Sequence, residues 1–189
     1  MGPSTFAAGA DFIVSSVSAF VDAELLSSLR LAAEQAGRRL QIQTGALGGI
    51  DALSAARIMG IDEVEHRIVK PPIAWGGTAA ADLCDLVSLT EPTVFFTGTA
   101  SETALEFPKN ANVAMTTALA GIGPERTKIS LVADPFTTTN RHEISARGAF
   151  GELDVRIANS PLPANPKTSA MAALSLVRIL RNRVSALTI

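Results

Sequence analysis

Proton transfer near neutrality is the task of histidine, and this chain has two, His66 and His142. Val64, His66 and Ile68 share one side of an alternating segment, and His142, Ile144 and Ala146 share one side of another. On pattern alone this favours hydrogen-bonded core histidines over acid–base groups. Neither has a second His, Cys or carboxylate at metal-ligand spacing, so no metal site is expected. Cys84 is the only cysteine, which excludes an internal disulfide and fits a reducing cytoplasm. Its ordinary role is that of a small buried hydrophobe. Asp134-Pro135 closes a strand and opens a loop, where an Asp caps its own turn.

Dinucleotide binding needs glycines directly after a strand and at the start of a helix, where free N–H groups receive a pyrophosphate. No G-x-G-x-x-G occurs, and Gly121-Ile122-Gly123-Pro124-Glu125-Arg126 follows a helix and reads as its stop. Thr44-Gly45-Ala46-Leu47-Gly48-Gly49-Ile50-Asp51 does stand between a strand and a helix. It is either a place where backbone approaches a ligand or only a tight turn.

The elements that must position these groups follow from periodicity. Strand 12–14, helix 22–36 capped by Asp22 and stopped by Gly37, and strand 40–42 make a βαβ unit of a parallel sheet. The helix face is expected to be Leu25, Leu29, Ala32, Ala33 and Ala36. A helix over 52–58 and a strand over 63–70 follow, then a Pro-rich loop, 71–78, with the only tryptophan, Trp75. A strand over 93–97 leads to a helix capped by Thr99-x-x-Glu102 or by Ser101 and ending near Phe107-Pro108, and a second helix spans 112–120. Segments 128–133, 141–147 and 152–158 alternate and are expected to form an antiparallel meander with one buried face. Residues 159–165 read as a linker, and a last helix starts behind Asn165 with Pro166 at its first position. Its stripe is Ala173, Val177, Leu180, Val184 and Leu187.

Of the 189 residues 47% are hydrophobic, enough for a core, yet no run approaches the ~20 apolar residues of a membrane span. Residues 1–10 carry no signal-peptide pattern. The net charge of −2, with Lys and Arg scattered, speaks against a nucleic-acid partner.

Several longer strings occur together and in order. They are Gly45-Ala46-Leu47-Gly48-Gly49-Ile50-Asp51-Ala52-Leu53, Lys70-Pro71-Pro72 with Ala74-Trp75, and Phe107-Pro108-Lys109-Asn110-Ala111-Asn112-Val113-Ala114. Ala133-Asp134-Pro135, Asn140-x-His142, Gly148-x-Phe150-Gly151 and Asn165-Pro166-Lys167-Thr168-Ser169 continue the series. As an ordered set, from about Asp11 to the C-terminus, they resemble the L-aspartate dehydrogenase family. The resemblance implies oxidation of L-aspartate with NAD or NADP to iminoaspartate, which yields oxaloacetate and ammonia or feeds NAD biosynthesis. By position it implies a catalytic His142, with Ala46 and Asn112 at the cofactor. An imidazole of ordinary pKa ~6.5 suits that proton transfer. The Asn112 amide can donate to and accept from a carboxamide, and the small Ala46 leaves its backbone approachable. Lys70, Lys109 and Lys167 are candidate partners for the substrate carboxylates, although each singly also reads as a solvated surface lysine.

The fold class expected is α/β: an α+β catalytic domain with a largely antiparallel sheet, joined to the remnant of a Rossmann-type parallel sheet. Residues 1–50 would be that remnant, 51–165 the catalytic and dimerisation domain, and 166–189 a C-terminal helix packing back on the Rossmann part. A family member with its glycine fingerprint would carry it ahead of Phe12, so this chain alone is expected to bind NAD weakly and to be inactive. A homodimer in the cytoplasm is expected, in part from Phe95-Phe96, since adjacent strand residues point to opposite faces. The alternative is a non-catalytic dimerisation module derived from the same family.

Overall fold

The computed structural model describes residues 2–162 and 165–188, the side chains of 161 and 165–168 excepted. The chain opens with α1 (Gly2–Ala7), a helix not expected from the sequence, whose Phe6 meets Phe12 edge to face at 6.1 Å. β1 (Phe12–Val14) is followed by a 3-10 turn, Val17–Val21, then α2 (Ala23–Gln35) and β2 (Leu40–Ile42). β1 and β2 pair in parallel, Phe12 against Leu40, as the periodicity predicts. Asp22 caps α2 by accepting from Glu24 N and Leu25 N. Leu29 and Ala33 are the buried residues of its face, while Leu25 and Ala36 are turned out.

α3 (Ile50–Ala56) and β3 (Ile61–Lys70) come next, then a 3-10 turn, Pro72–Trp75, and the short α4 (Ala80–Leu83). The Pro71 to Thr78 loop therefore has internal structure. It buries Trp75, whose Nε1 donates to the Val132 carbonyl at 3.0 Å. β4 (Thr93–Thr99) leads into α5 (Ala100–Glu106) through the predicted capping box of Thr99 and Glu102, and α6 (Ala111–Ala120) follows.

β5 (Lys128–Ala133), β6 (Asn140–Gly148) and β7 (Gly151–Asn159) lie where the alternation places them, but they do not form a meander. The sheet order is β4-β5-β3-β6-β7. β3, from earlier in the chain, separates β5 from β6 and runs parallel to β5. Such a pair needs a crossover of a dozen or more residues, which the segment with α5 and α6 supplies. Only β6 and β7 form a hairpin. The link from β5 to β6 passes over the end of β3, where Asp134 N donates to the Lys70 carbonyl. Every other pair in this sheet is antiparallel, so it is largely antiparallel, beside the small parallel pair β1–β2.

Phe95 and Phe96 do not divide between the two faces. The register of β4 on β5 shifts between Val94 and Phe96, and such a bulge re-aims the extra residue. Both rings then meet Phe107, at 5.9 and 5.0 Å.

The stretch expected to be a linker forms a short ladder, β8 (Pro161–Leu162) with β9 (Asn165–Ser169), although Pro163 lies outside the described residues. The last helix, α7 (Ala170–Val184), begins after Ser169 and not at Pro166, whose backbone is in β9. Ser175 and Ile179 are its buried positions. The expected stripe faces solvent, with Leu180 55% and Val184 87% exposed. In this orientation Arg183 pairs with Asp11 at 2.6 Å beside β1 and donates to Gln41 on β2.

One apolar cluster runs from Phe6, Val17, Phe20 and Leu29 through Trp75, Phe107 and Met115 to Ile129 and Leu131. A second, around Leu53, Val64 and Ile144, packs α3 onto the other end of the sheet. Burying a large side chain contributes roughly 1.5–3 kcal/mol, so the first cluster fixes the β1–β2 layer against α5 and α6.

Candidate active site

Even-numbered residues of β3 face the helices, so His66 and Lys70 stand on one face, two pleats apart. β6 pairs antiparallel with β3, Ile68 opposite His142 and His66 opposite Ile144. Both imidazoles are therefore diagonal neighbours on the buried face. His66 Nε2 lies 3.2 Å from His142 Nδ1, and His66 Nδ1 lies 2.9 Å from Thr117 Oγ1 on α6.

His142 and Lys70 open into a cleft of about 260 Å³ between the β1–β2 layer and the sheet. Its walls also include Ala46, Lys109, Asn110 and Asn112. The structure thus unites His142, Ala46, Asn112, Lys70 and Lys109. The Lys167 side chain lies outside the described residues.

His142 is 3% exposed. Burial, and then the charge of Lys70, pushes its pKa down from 6.5 to about 3. His66, wholly buried and next to His142, is held well below the usual imidazole range by the same desolvation. Both rings are neutral at pH 7. Burial also lowers Lys70, to about 8. Its ammonium donates to Asn110 Oδ1 and stands 4.9 Å from the centre of the Trp75 ring, a cation–π contact. Lys109 is exposed at the rim.

Thr44, Gly45 and Ala46 line the cleft, and in the turn over 44–49 Gly45 has φ +63° with open space where a Cβ would stand, while Gly49 has φ +70°. A Cβ on Gly49 would fall 2.5 Å from a Val155 methyl. The Ala46 carbonyl accepts from Asn159 Nδ2 at 2.9 Å, which fixes the turn to the end of β7. The Asn112 Oδ1 accepts from Ser18 N at 2.9 Å, which fixes the amide; Nδ2 is its donor for the cleft, and the oxygen keeps a second lone pair.

Sequence reasoning missed Asn159, Asn110 and Gln43 as site residues and left His66 as an ordinary core histidine. A signal for His66 was present, since its four-residue spacing from Lys70 puts the two on one strand face. Nothing in the sequence marks Asn159, whose role depends on a contact 113 residues away. Among the described residues no cluster of His, Cys, Asp and Glu could hold a metal, and no helix is long and apolar enough to cross a membrane.

Residues 51–183 match the C-terminal domain of aspartate dehydrogenase. The chain belongs to the aspartate dehydrogenase family. It is 55% identical to the L-aspartate dehydrogenase of Brucella anthropi over 97% of this chain and 69% of that protein. It is 48% identical to that of Cupriavidus necator over 96% of this chain and 68% of the other. A crystal structure of aspartate dehydrogenase from Thermotoga maritima superposes with a TM-score of 0.79 at 30% identity, covering 95% of this chain and 68% of that one. The aspartate dehydrogenases are oxidoreductases acting on a CH–NH2 donor, and this family member is an enzyme of that class.

Proposed function

We propose that this aspartate dehydrogenase family member oxidises L-aspartate to iminoaspartate with NAD or NADP, and that His142 accepts the substrate proton. The observation that carries the reading is one cleft in which a buried neutral imidazole, His142, stands with a half-buried cation, Lys70. A dicarboxylate is recognised by cations and amide donors, and Lys70, Lys109 and the Asn110 amide supply them. Electron loss from the α-carbon requires the α-ammonium to shed a proton first, and the His142 ring nitrogen turned from His66 receives it. The substrate prepares this step. Burial is the larger cause of the low His142 pKa, and the charge of Lys70 the smaller; the substrate carboxylates offset that second part, so the base strengthens when aspartate is in place.

The cleft also fits a nicotinamide. Gln43 Oε1 lines it, buried and without a hydrogen-bond partner among the described residues, and would accept from a carboxamide NH2. Asn112 Nδ2 would donate to the carboxamide oxygen, and the Gly45-Ala46 backbone leaves room for the ring. When bound, the nicotinamide supplies the hydride acceptor. No G-x-G-x-x-G turn lies within these 189 residues, so a polypeptide of this sequence alone holds only that end of the dinucleotide. It is proposed to bind NADH weakly and to show no detectable turnover, since the orientation of the ring is lost with the pyrophosphate.

The product imine hydrolyses to oxaloacetate and ammonia or enters NAD biosynthesis. We place the enzyme in the cytoplasm, where the free thiol of Cys84 persists. A homodimer is proposed through the open face of the sheet, where Glu143 meets Arg67, Arg141 and Arg156, and light scattering tests it. The functional test is a steady-state assay of the protein expressed from its full gene, run with aspartate and with oxaloacetate plus ammonia. Absence of turnover in both directions with either cofactor overturns the reading. Titration calorimetry of the 189-residue polypeptide with NADH tests the weak binding, and a low-micromolar constant overturns it.

A further inference from the structure

The reaction proposed above makes no use of His66, yet this ring is wholly buried and hydrogen-bonded at both nitrogens. Its partner on one side is Thr117 Oγ1, which also lies 3.1 Å from the Val113 carbonyl one turn earlier in α6. A carbonyl only accepts, and a hydroxyl has one proton. With that proton on the Val113 oxygen, Thr117 Oγ1 receives Nδ1–H from His66. His66 Nε2 is then a lone pair, and it receives Nδ1–H from His142. The opposite polarity would turn an N–H of His142 toward the cleft that holds the Lys70 ammonium. The field of that cation favours the ring with its lone pair outward.

We propose that His66, oriented by Thr117, is a positioning residue that holds His142 in its Nδ1–H tautomer, so that Nε2 presents a lone pair to the cleft. The inference rests on the reading of His142 as the proton acceptor. A neutral imidazole has one donor and one acceptor nitrogen, and in the wrong tautomer it cannot take a proton from the substrate amine. Packing alone does not choose between the tautomers, because both have the same shape. The choice belongs to the hydrogen-bond chain that ends at a backbone carbonyl.

The test uses the protein expressed from its full gene, labelled with 15N at histidine. We expect the His142 Nε2 resonance to be of the pyridine type and Nδ1 of the pyrrole type. His66→Leu removes the acceptor, and His142 should then shift toward the Nε2–H form with a fall in kcat of about tenfold or more at little-changed KM for aspartate. His66→Gln offers a carboxamide oxygen to His142 and an NH2 to Thr117, and should recover the tautomer and most of kcat. Thr117→Val, close in shape to the wild type, should move both readouts in the direction of His66→Leu, and it serves where the leucine variant does not fold. A pyrrole-type Nε2 in the wild type, or wild-type tautomer and kcat in both His66→Leu and Thr117→Val, overturns the proposal. Activity retained in His142→Ala would overturn the acceptor reading instead, while the 15N spectra judge the tautomer independently.

Discussion

Asn159 Nδ2 donates to the Ala46 carbonyl at 2.9 Å, so the last residue of β7 holds the turn that follows β2. Asn159→Ala removes this buried bond and should cost about 1–2 kcal/mol of stability. The freed turn should raise KM for the nicotinamide cofactor several-fold and leave KM for aspartate near its original value. Denaturant titration together with the two KM values checks this. An unchanged cofactor KM would separate the turn from cofactor binding.

His142→Ala should lower kcat by about 10² or more, the usual size of acid–base assistance. Circular dichroism should show the fold intact, because the site is a cleft wall and the surrounding strands keep their pairing. A kcat within threefold of the wild type would remove His142 from the chemistry.

Lys70 must be charged to hold a carboxylate, and burial has brought its pKa to about 8. KM for aspartate should therefore rise as the pH passes 8. Lys70→Met should raise KM at least about tenfold at pH 7, the worth of a charge-assisted hydrogen bond. Lys70→Arg should move the alkaline rise of KM to higher pH. Initial rates from pH 7 to 10 decide the matter, and a flat KM profile would exclude Lys70 as a carboxylate partner.

Acid should destabilise the fold through the buried imidazoles. In the unfolded chain His142 binds its proton near 6.5, and in the folded chain only near 3. Between those values the unfolded state holds more protons, so stability falls as the pH drops through this window. At pH 4.5 His142 alone accounts for about 2–3 kcal/mol relative to pH 7. His66 adds a loss of the same sign. Urea midpoints at pH 7 and 4.5 measure the difference, and it should shrink in His142→Ala.

Most elements were legible from periodicity because each needs only local information. The Thr99 and Glu102 capping box and the Asp22 cap are satisfied within one helical turn. The three alternating segments near the end of the chain were legible as strands, and β6 and β7 as neighbours, but the separation of β5 from β6 was not. Alternation marks a buried face, and nothing in it says that β3 would slip between β5 and β6. The final helix shows the same limit, since its apolar stripe was visible but the side that turns inward carries Ser175 and Ile179. In the cleft, His142, Ala46 and Asn112 were found through motif order, whereas Asn159 and the Thr117–His66 chain depend on contacts between distant segments.

The register of β3 on β6 has an evolutionary consequence. It shifts between Ile61 and Glu63, ahead of both His66 and Lys70. Side chains alternate along a strand, so inserting or deleting one residue between Val64 and His66 would turn the histidine and the lysine together to the solvent side. Such a lesion would abolish the chemistry while removing no side chain that performs it. This short stretch of β3 should therefore tolerate changes of residue far better than changes of length, and drift in this lineage should be recorded there as substitutions and not as gaps.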